Sequence, residues 1–234
     1  MNDKEIDEIL KKAKTAAGDP SPEVLRRILD TIVPPLKPVR PIAPSWILTG
    51  GLVLVCAAAA LAGAFRLGLS GFEKMDALQR ATVLSALVVL IWAASRAFVA
   101  EMIPGRRRSV MPVALLIFSY VGLASLFVLT FHDHSIEDFF PVGLNCLFTG
   151  LLHAIPAGLL SWLVVRRGFA LNAVAAGMLA GLLGGLAGVG MLELHCPNFE
   201  TAHLVAWHAA VVPLSSALGA LTGWVASRLA RALV

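Results

Sequence analysis

Six apolar stretches, at roughly 46 to 67, 81 to 103, 110 to 131, 143 to 165, 169 to 192 and 205 to 227, decide what this chain can become. Each supplies the ~20 residues that a helix needs to cross a hydrocarbon core of ~30 Å. Hydrophobic residues make up 58% of the 234 and charged residues 15%, whereas a soluble domain carries about 25% charge. The expected fold is therefore all-α: a six-helix transmembrane bundle spanning residues 46–234. The first 40 residues are polar, with no apolar core of a signal peptide, so the first span is expected to direct insertion itself.

The loops set the expected orientation. "GRRRS" holds Arg106, Arg107 and Arg108, "RRG" holds Arg166 and Arg167, and Arg228 and Arg231 follow the last span. The alternate loops "HDHSIEDFFP" and "HCPNFETAH" hold no Lys or Arg. The positive-inside rule then places both termini and the arginine loops in the cytoplasm of a bacterial inner-membrane protein. The first outer loop, "SGFEKMDALQ", fits this least well, because Arg66, Lys74 and Arg80 face only Glu73 and Asp76. Inverting the chain would carry the much larger basic set across the membrane, so the loop is kept outside.

Ahead of the spans stands a tail, residues 1–33, followed by a spacer at 34–45. In "MNDKEIDEILKKAKTAAG" the residues Ile6, Ile9, Leu10 and Ala13 share one helical face, with acidic residues early and lysines late as the helix dipole favours. Gly18, Asp19 and Pro20 end that helix. "SPEVLRRILDTIV" restarts with Ser21 as N-cap and Pro22 at the first helical position, placing Val24, Leu25, Ile28, Leu29 and Ile32 on a second apolar face. "PPLKPVRPIAP" then forms an extended spacer. Two short helices bury too little surface to form a core of their own. Their faces, without a single aromatic residue, suit a groove on a protein partner better than a lipid headgroup layer.

Within the spans most special residues read as structural. Gly177, Gly181 and Gly185, with Gly184 and Gly188, then Gly219 and Gly223, form small-residue stripes for close helix packing. Arg96 reads as an anchor that snorkels to the interface, with Glu101 near enough to share its charge. Cys56 reads as a small buried hydrophobe. Pro156 and Pro213 are candidate kinks in spans four and six.

The polar exception is "MLELHCPNFETAHLVAWH", residues 191–208, which gathers one cysteine, three histidines and two glutamates around the end of one span and the start of the next. Cys146, near the outer end of span four, and Cys196 lie at one membrane surface, together with His132, His134, His195, His203 and His208. Three chemistries stay open for the cysteines, beside the plain alternative of a few interfacial polar residues with no chemistry. A disulfide closing a loop near 50 residues would contribute at most ~4 kcal/mol. Imidazoles beside a thiol can keep it reactive. Zinc or another thiophilic metal takes Cys and His ligands, with His195, His203, His208 and His153 as candidate accessory ligands. No C-x-x-C, H-x-x-x-H or H-E-x-x-H occurs, so a metal site would have to be assembled across loops. His153, two turns from Cys146, reads first as a core histidine.

An enzyme is not expected. Intramembrane proteolysis needs a zinc motif, a Ser–His pair in facing helices or paired aspartates, and the expected spans hold no Asp. A small polytopic transporter or metal-binding membrane protein is the alternative reading, although no internal repeat is evident.

Six spans, an amphipathic tail, Cys146 in the outer half of span four, and "LHCP" ahead of "HLVAWH" together resemble the NrsF-type membrane anti-sigma factors. The resemblance covers essentially the whole chain and is most specific at Leu194 to Pro197, at Trp207 and in the separation of Cys146 from Cys196. It implies that the tail sequesters an extracytoplasmic-function sigma factor, with no direct contact to nucleic acid, and that Cys146 and Cys196 take part in stress sensing. The histidine-rich outer loops and the long proline spacer depart from the family pattern. Ile6, Ile9, Leu10, Val24, Leu25, Ile28 and Leu29 are then the expected sigma-binding residues.

Overall fold

The computed structural model describes residues 3–16, 21–32, 43–103, 111–133, 139–165 and 172–232, and the chain divides into two compact units, Met1–Pro41 and Ile42–Val234. The arginine loops at 106–108 and 166–167, His134 and nearly all of the proline spacer lie outside the described residues.

In the first unit, α1 (Asp3–Ala16) and α2 (Pro22–Ile32) are the two tail helices. Ser21 starts α2 as expected: its hydroxyl accepts from Val24 N at 3.3 Å, and Pro22, which has no N–H to satisfy, opens the helix. Ile6, Ile9, Val24 and Leu25 are exposed. The side chains of Leu10, Ile28 and Leu29 lie outside the described set.

Among its described residues the second unit consists of helices joined by short turns, with one isolated bridge between Asp133 and Glu200. Its elements are α3 (Ser45–Leu67), α4 (Ser70–Lys74), α5 (Ala77–Met102), α6 (Pro112–Thr130), α7 (Phe139–Val165), α8 (Ala173–His195), α9 (Thr201–His203), a π turn (Leu204–His208) and α10 (Val211–Ala232). Among the described residues six helical segments are long and apolar enough to cross a membrane, the last running from Thr201 to Ala232. The protein is a multi-pass membrane protein with an all-α six-helix bundle.

The spans begin and end a few residues away from where hydropathy places them, and the ends have local causes. A capping box between Asp76 and Gln79 starts α5 four residues before the apolar run. Asn172 accepts from Val174 N and Ala175 N to start α8. At its other end α8 runs on to His195, because α4 sits across its terminus. Ser70 Oγ donates to His195 O at 2.6 Å, and Lys74 Nζ donates to Pro197 O at 3.3 Å. A cation beside the free carbonyls of a helix C-terminus is favourable. Lys74 and Arg80 of that first loop therefore have structural uses: the Arg80 guanidinium lies 4.4 Å from the centroid of Phe72 and donates to Met75 O.

The centre of the bundle is α8, of which 78% is buried against other helices, more than any other span. Its glycines explain how. A Cβ on Gly181 would run into Ser215 O, and those of Gly177 and Gly219 would run into each other's carbonyl oxygens, so α8 and α10 meet backbone to backbone. On the side facing α7, Cβ atoms on Gly184 and Gly188 would lie 2.5 Å from Ala154 O and Gly150 O. Small residues allow this approach in lipid, where packing rather than water expulsion holds helices together. The apolar cluster around α8 includes Leu52 and Cys56 of α3, Leu87 and Phe98 of α5, and Leu123 and Phe127 of α6. Arg96 lies exposed with its guanidinium 5.4 Å from the Trp92 ring centroid.

The prolines act unequally. The helix α7 continues through Pro156. Pro213 stands where the sixth span changes register: it lacks an N–H and crowds the carbonyl four residues back, that of Ala209. Just before it, Ala209 N donates to Leu204 O at 2.9 Å, a bond spanning five residues that closes the π turn.

Candidate functional site

At the end of the bundle where α8 terminates, three spans bring side chains together. Cys146 enters from the second turn of α7 and is half-buried. Cys196 is the C-cap of α8, 3% exposed, with its N–H donating to Leu192 O at 2.7 Å. His203 precedes the π turn and His208 is its last residue, and both are fully buried. The two sulfurs lie 3.4 Å apart and both thiols are free. Cys196 Sγ is 3.8 Å from His203 Nε2. The two imidazoles sit edge to face, with centroids 5.0 Å apart.

One ligand atom from each of Cys146, Cys196, His203 and His208 lies within 4.8 Å of the other three. A tetrahedral zinc ion with Zn–S of ~2.3 Å and Zn–N of ~2.0–2.1 Å spaces its ligand atoms roughly 3.3–3.8 Å apart. The measured sulfur–sulfur and sulfur–nitrogen separations of 3.4 and 3.8 Å fall on that scale. Polar atoms around the site also lack partners: His203 Nδ1, His208 Nε2 and Glu193 Oε2 are buried without a hydrogen bond. The donor set fits a borderline-soft divalent ion.

The π turn is what puts the two histidines on one face. Residues five apart in an α-helix point roughly 140° away from each other, at 100° per residue. Widening the turn to i→i+5 hydrogen bonding brings the pair back into line, and π turns of this kind gather at functional sites. Trp207 fixes the turn against α7, packing on Phe139 and Phe140 at 5.3 and 6.0 Å between centroids and filling the place of a side chain at Gly143. From the other side, Thr201 Oγ1 donates to Phe131 O at 2.7 Å, and Phe199 stacks on Phe131 at 5.0 Å.

The candidate ligands read from the sequence divide here. Cys146, Cys196, His203 and His208 converge. His195, next to Cys196 in sequence, instead hydrogen-bonds Gly68 O through Nδ1 at 3.1 Å. His153 hydrogen-bonds Thr149 O at 2.8 Å, and its ring fills the space over Gly63. Neither belongs to the group of four.

One residue escaped the sequence reading. Glu193 is fully buried in the last turn of α8, and its Oε1 lies 2.7 Å from His208 Nδ1. The signal was present, since an ionisable residue inside a span is a functional suspect. Ending the span at residue 192 hid it in a loop.

Among the four candidate ligands, Cys196 lies between the spans. The hydrogen bond with Cys146, and then burial, raise its thiol above the ordinary range, while His203 and His208 pull the other way. It is held as a thiol until an ion or a base takes the proton.

Fold and cluster together define a polytopic membrane protein with a largely buried two-cysteine, two-histidine constellation at one end of its bundle. Residues 33–229 match the family model NrsF, described as negative regulator of sigma F, and the chain belongs to that family. The match begins after α2, so both tail helices precede it. Neither a curated protein nor a solved structure matches the chain.

Proposed function

We propose that this chain is an inner-membrane anti-sigma factor that holds an extracytoplasmic-function sigma factor through α1 and α2 and releases it when a thiophilic divalent metal occupies the Cys146–Cys196–His203–His208 cluster. Family membership supports the regulatory role. The arginine-rich loops after α5 and α7 favour a cytoplasmic placement for their end of the bundle, which puts the cluster on the outer side. Exposed Ile6, Ile9, Val24 and Leu25 supply an apolar surface for a groove on the sigma factor. Zinc is the type ion for such a ligand set.

The observation that carries the metal reading is the convergence of four ligand atoms, from two thiols and two wholly buried imidazoles, within 4.8 Å of one another. A disulfide between Cys146 and Cys196 is the second reading, favoured by the 3.4 Å between the sulfurs. It would release two protons and two electrons to an oxidant of the outer compartment, and it leaves His203 and His208 without a task.

The deciding experiment uses the full chain in lipid nanodiscs with a candidate extracytoplasmic-function sigma factor from the same cell. Co-purification should succeed without metal and fail once Zn²⁺ is added, with the release unaffected by a non-chelating reducing agent and the thiols unbridged by mass spectrometry. Release accompanied by an S–S bond favours the second reading, and failure to co-purify under any condition removes the anti-sigma assignment.

A further inference from the structure

We infer that Glu193 is the positioning residue of the metal cluster: it holds the His208 ring by Nδ1 so that Nε2 is the nitrogen left to bind the ion. The inference rests on the metal reading of the site and adds to it a residue from outside the set of four.

The geometry is specific. Glu193 projects from the last turn of α8, three residues before Cys196, and reaches across to the π turn of the sixth span. Its Oε1 lies 2.7 Å from His208 Nδ1, with both side chains wholly withdrawn from solvent. A carboxylate accepts and an imidazole N–H donates, so this contact puts the ring proton on Nδ1. A metal ion takes the neutral ring, and in that form the other nitrogen, Nε2, carries the free lone pair; it is buried without a hydrogen bond. His208 contributes a ligand atom to the group of four, and with Nδ1 engaged that atom is Nε2. A carboxylate behind a histidine ligand fixes the tautomer, orients the ring and raises the basicity of the ligating nitrogen.

The same bond explains why a carboxylate is tolerated here. An ionisable group inside a span is costly unless it is paired within the bundle. Glu193 is paired, and its partner is a candidate ligand rather than a serine or a backbone amide. His203, by contrast, has its Nδ1 buried with no partner. The two histidines are therefore unequal: one is held by α8, the other only by packing and by its approach to Cys196. Removing Glu193 should free the His208 ring to turn and should cost the site a ligand.

The test is Co²⁺ binding to the full-length chain, purified in detergent and read by visible absorption, with Glu193→Leu and Glu193→Gln beside the wild type. Four-coordinate cobalt with two sulfurs has an intense spectrum that weakens and shifts when a ligand is lost. The leucine variant should bind Co²⁺ about 10–100-fold more weakly, the range seen when such outer partners are removed, with the weakened spectrum of a site short of one imidazole. Glutamine keeps an oxygen that can accept from Nδ1, so its variant should retain the four-coordinate spectrum and lose less affinity. Should the leucine variant fail to fold by its helical circular dichroism, the glutamine variant alone carries the test. Affinity and spectrum equal to wild type in the folded leucine variant overturn the role of Glu193. A glutamine variant that has lost the four-coordinate spectrum overturns it too. Absence of any cobalt spectrum from the wild-type chain overturns the metal reading beneath it.

Discussion

Cys146 Sγ and Cys196 Sγ face each other at 3.4 Å where the start of α7 meets the end of α8, although fifty positions separate them in the chain. Replacing both by serine removes the two candidate sulfur ligands with little change in volume. The double variant Cys146→Ser, Cys196→Ser should still fold and still repress its sigma factor, yet fail to respond to Zn²⁺ or Cd²⁺. Sigma-dependent reporter transcription measures this, and a normal induced response would take the thiols out of the sensor.

The tail supplies a second expectation. Ile9 and Leu25 are exposed apolar residues on α1 and α2, the type of anchor that fills a groove on a partner. An aspartate at either position should cost at least ~2 kcal/mol of sigma binding if the residue is an anchor, and both together should abolish co-purification. Membrane insertion, followed by fractionation, should be unchanged. Undiminished binding by the double variant would move the contact elsewhere.

Backbone contact between α8 and α10 makes the glycines there hard to replace. Alanine at Gly181 or Gly219 would drive a methyl into Ser215 O or Gly177 O, and overpacking of this kind costs roughly 1–3 kcal/mol. Gly122→Ala is the control, since its Cβ meets nothing within 4 Å and a helix gains roughly 0.5–1 kcal/mol from the change. Thermal unfolding in detergent should rank Gly122→Ala at or above wild type and the other two below it.

Thiol reactivity gives a test by pH. The thiolate is the nucleophile, and in Cys196 the bond with Cys146, then burial, raise the pKa. Alkylation of Cys196 in the metal-free protein should therefore gain speed only as pH climbs above ~8.5, the value for an unperturbed cysteine. Cys146→Ala removes the first of those causes, so its rate–pH curve should shift to lower pH. Mass spectrometry of carbamidomethylated Cys196 follows both, and a curve that stays in place would deny the coupling of the two thiols.

The number of spans was legible because each is a long apolar run, and the glycine stripes were legible because four-residue spacing lines up one helix face. The cluster was only half legible. Cys146 and Cys196 share a membrane surface by topology alone, but the choice of histidines depended on geometry that spacing does not encode. His195 adjoins Cys196, yet neighbours on a helix point 100° apart, and this one turns to Gly68. His203 and His208 have the wrong spacing for one face of an α-helix and come together through the π turn before Pro213. Glu193 was hidden by a span end that hydropathy placed three residues early, because the capping of α8 by Ser70 and Lys74 comes from another part of the chain.

The burial of α8 has a consequence for biogenesis. Its glycine-lined faces offer lipid little surface to grip, and it carries Glu193 near one end. The sixth span covers that face and brings His208 to the carboxylate. As the chain leaves the translocon, the fifth span therefore stays poorly housed until the sixth has been synthesised and inserted. Quality-control proteases that read exposed polar groups in the membrane should clear a chain that stops before Thr201, even with five of its six spans complete.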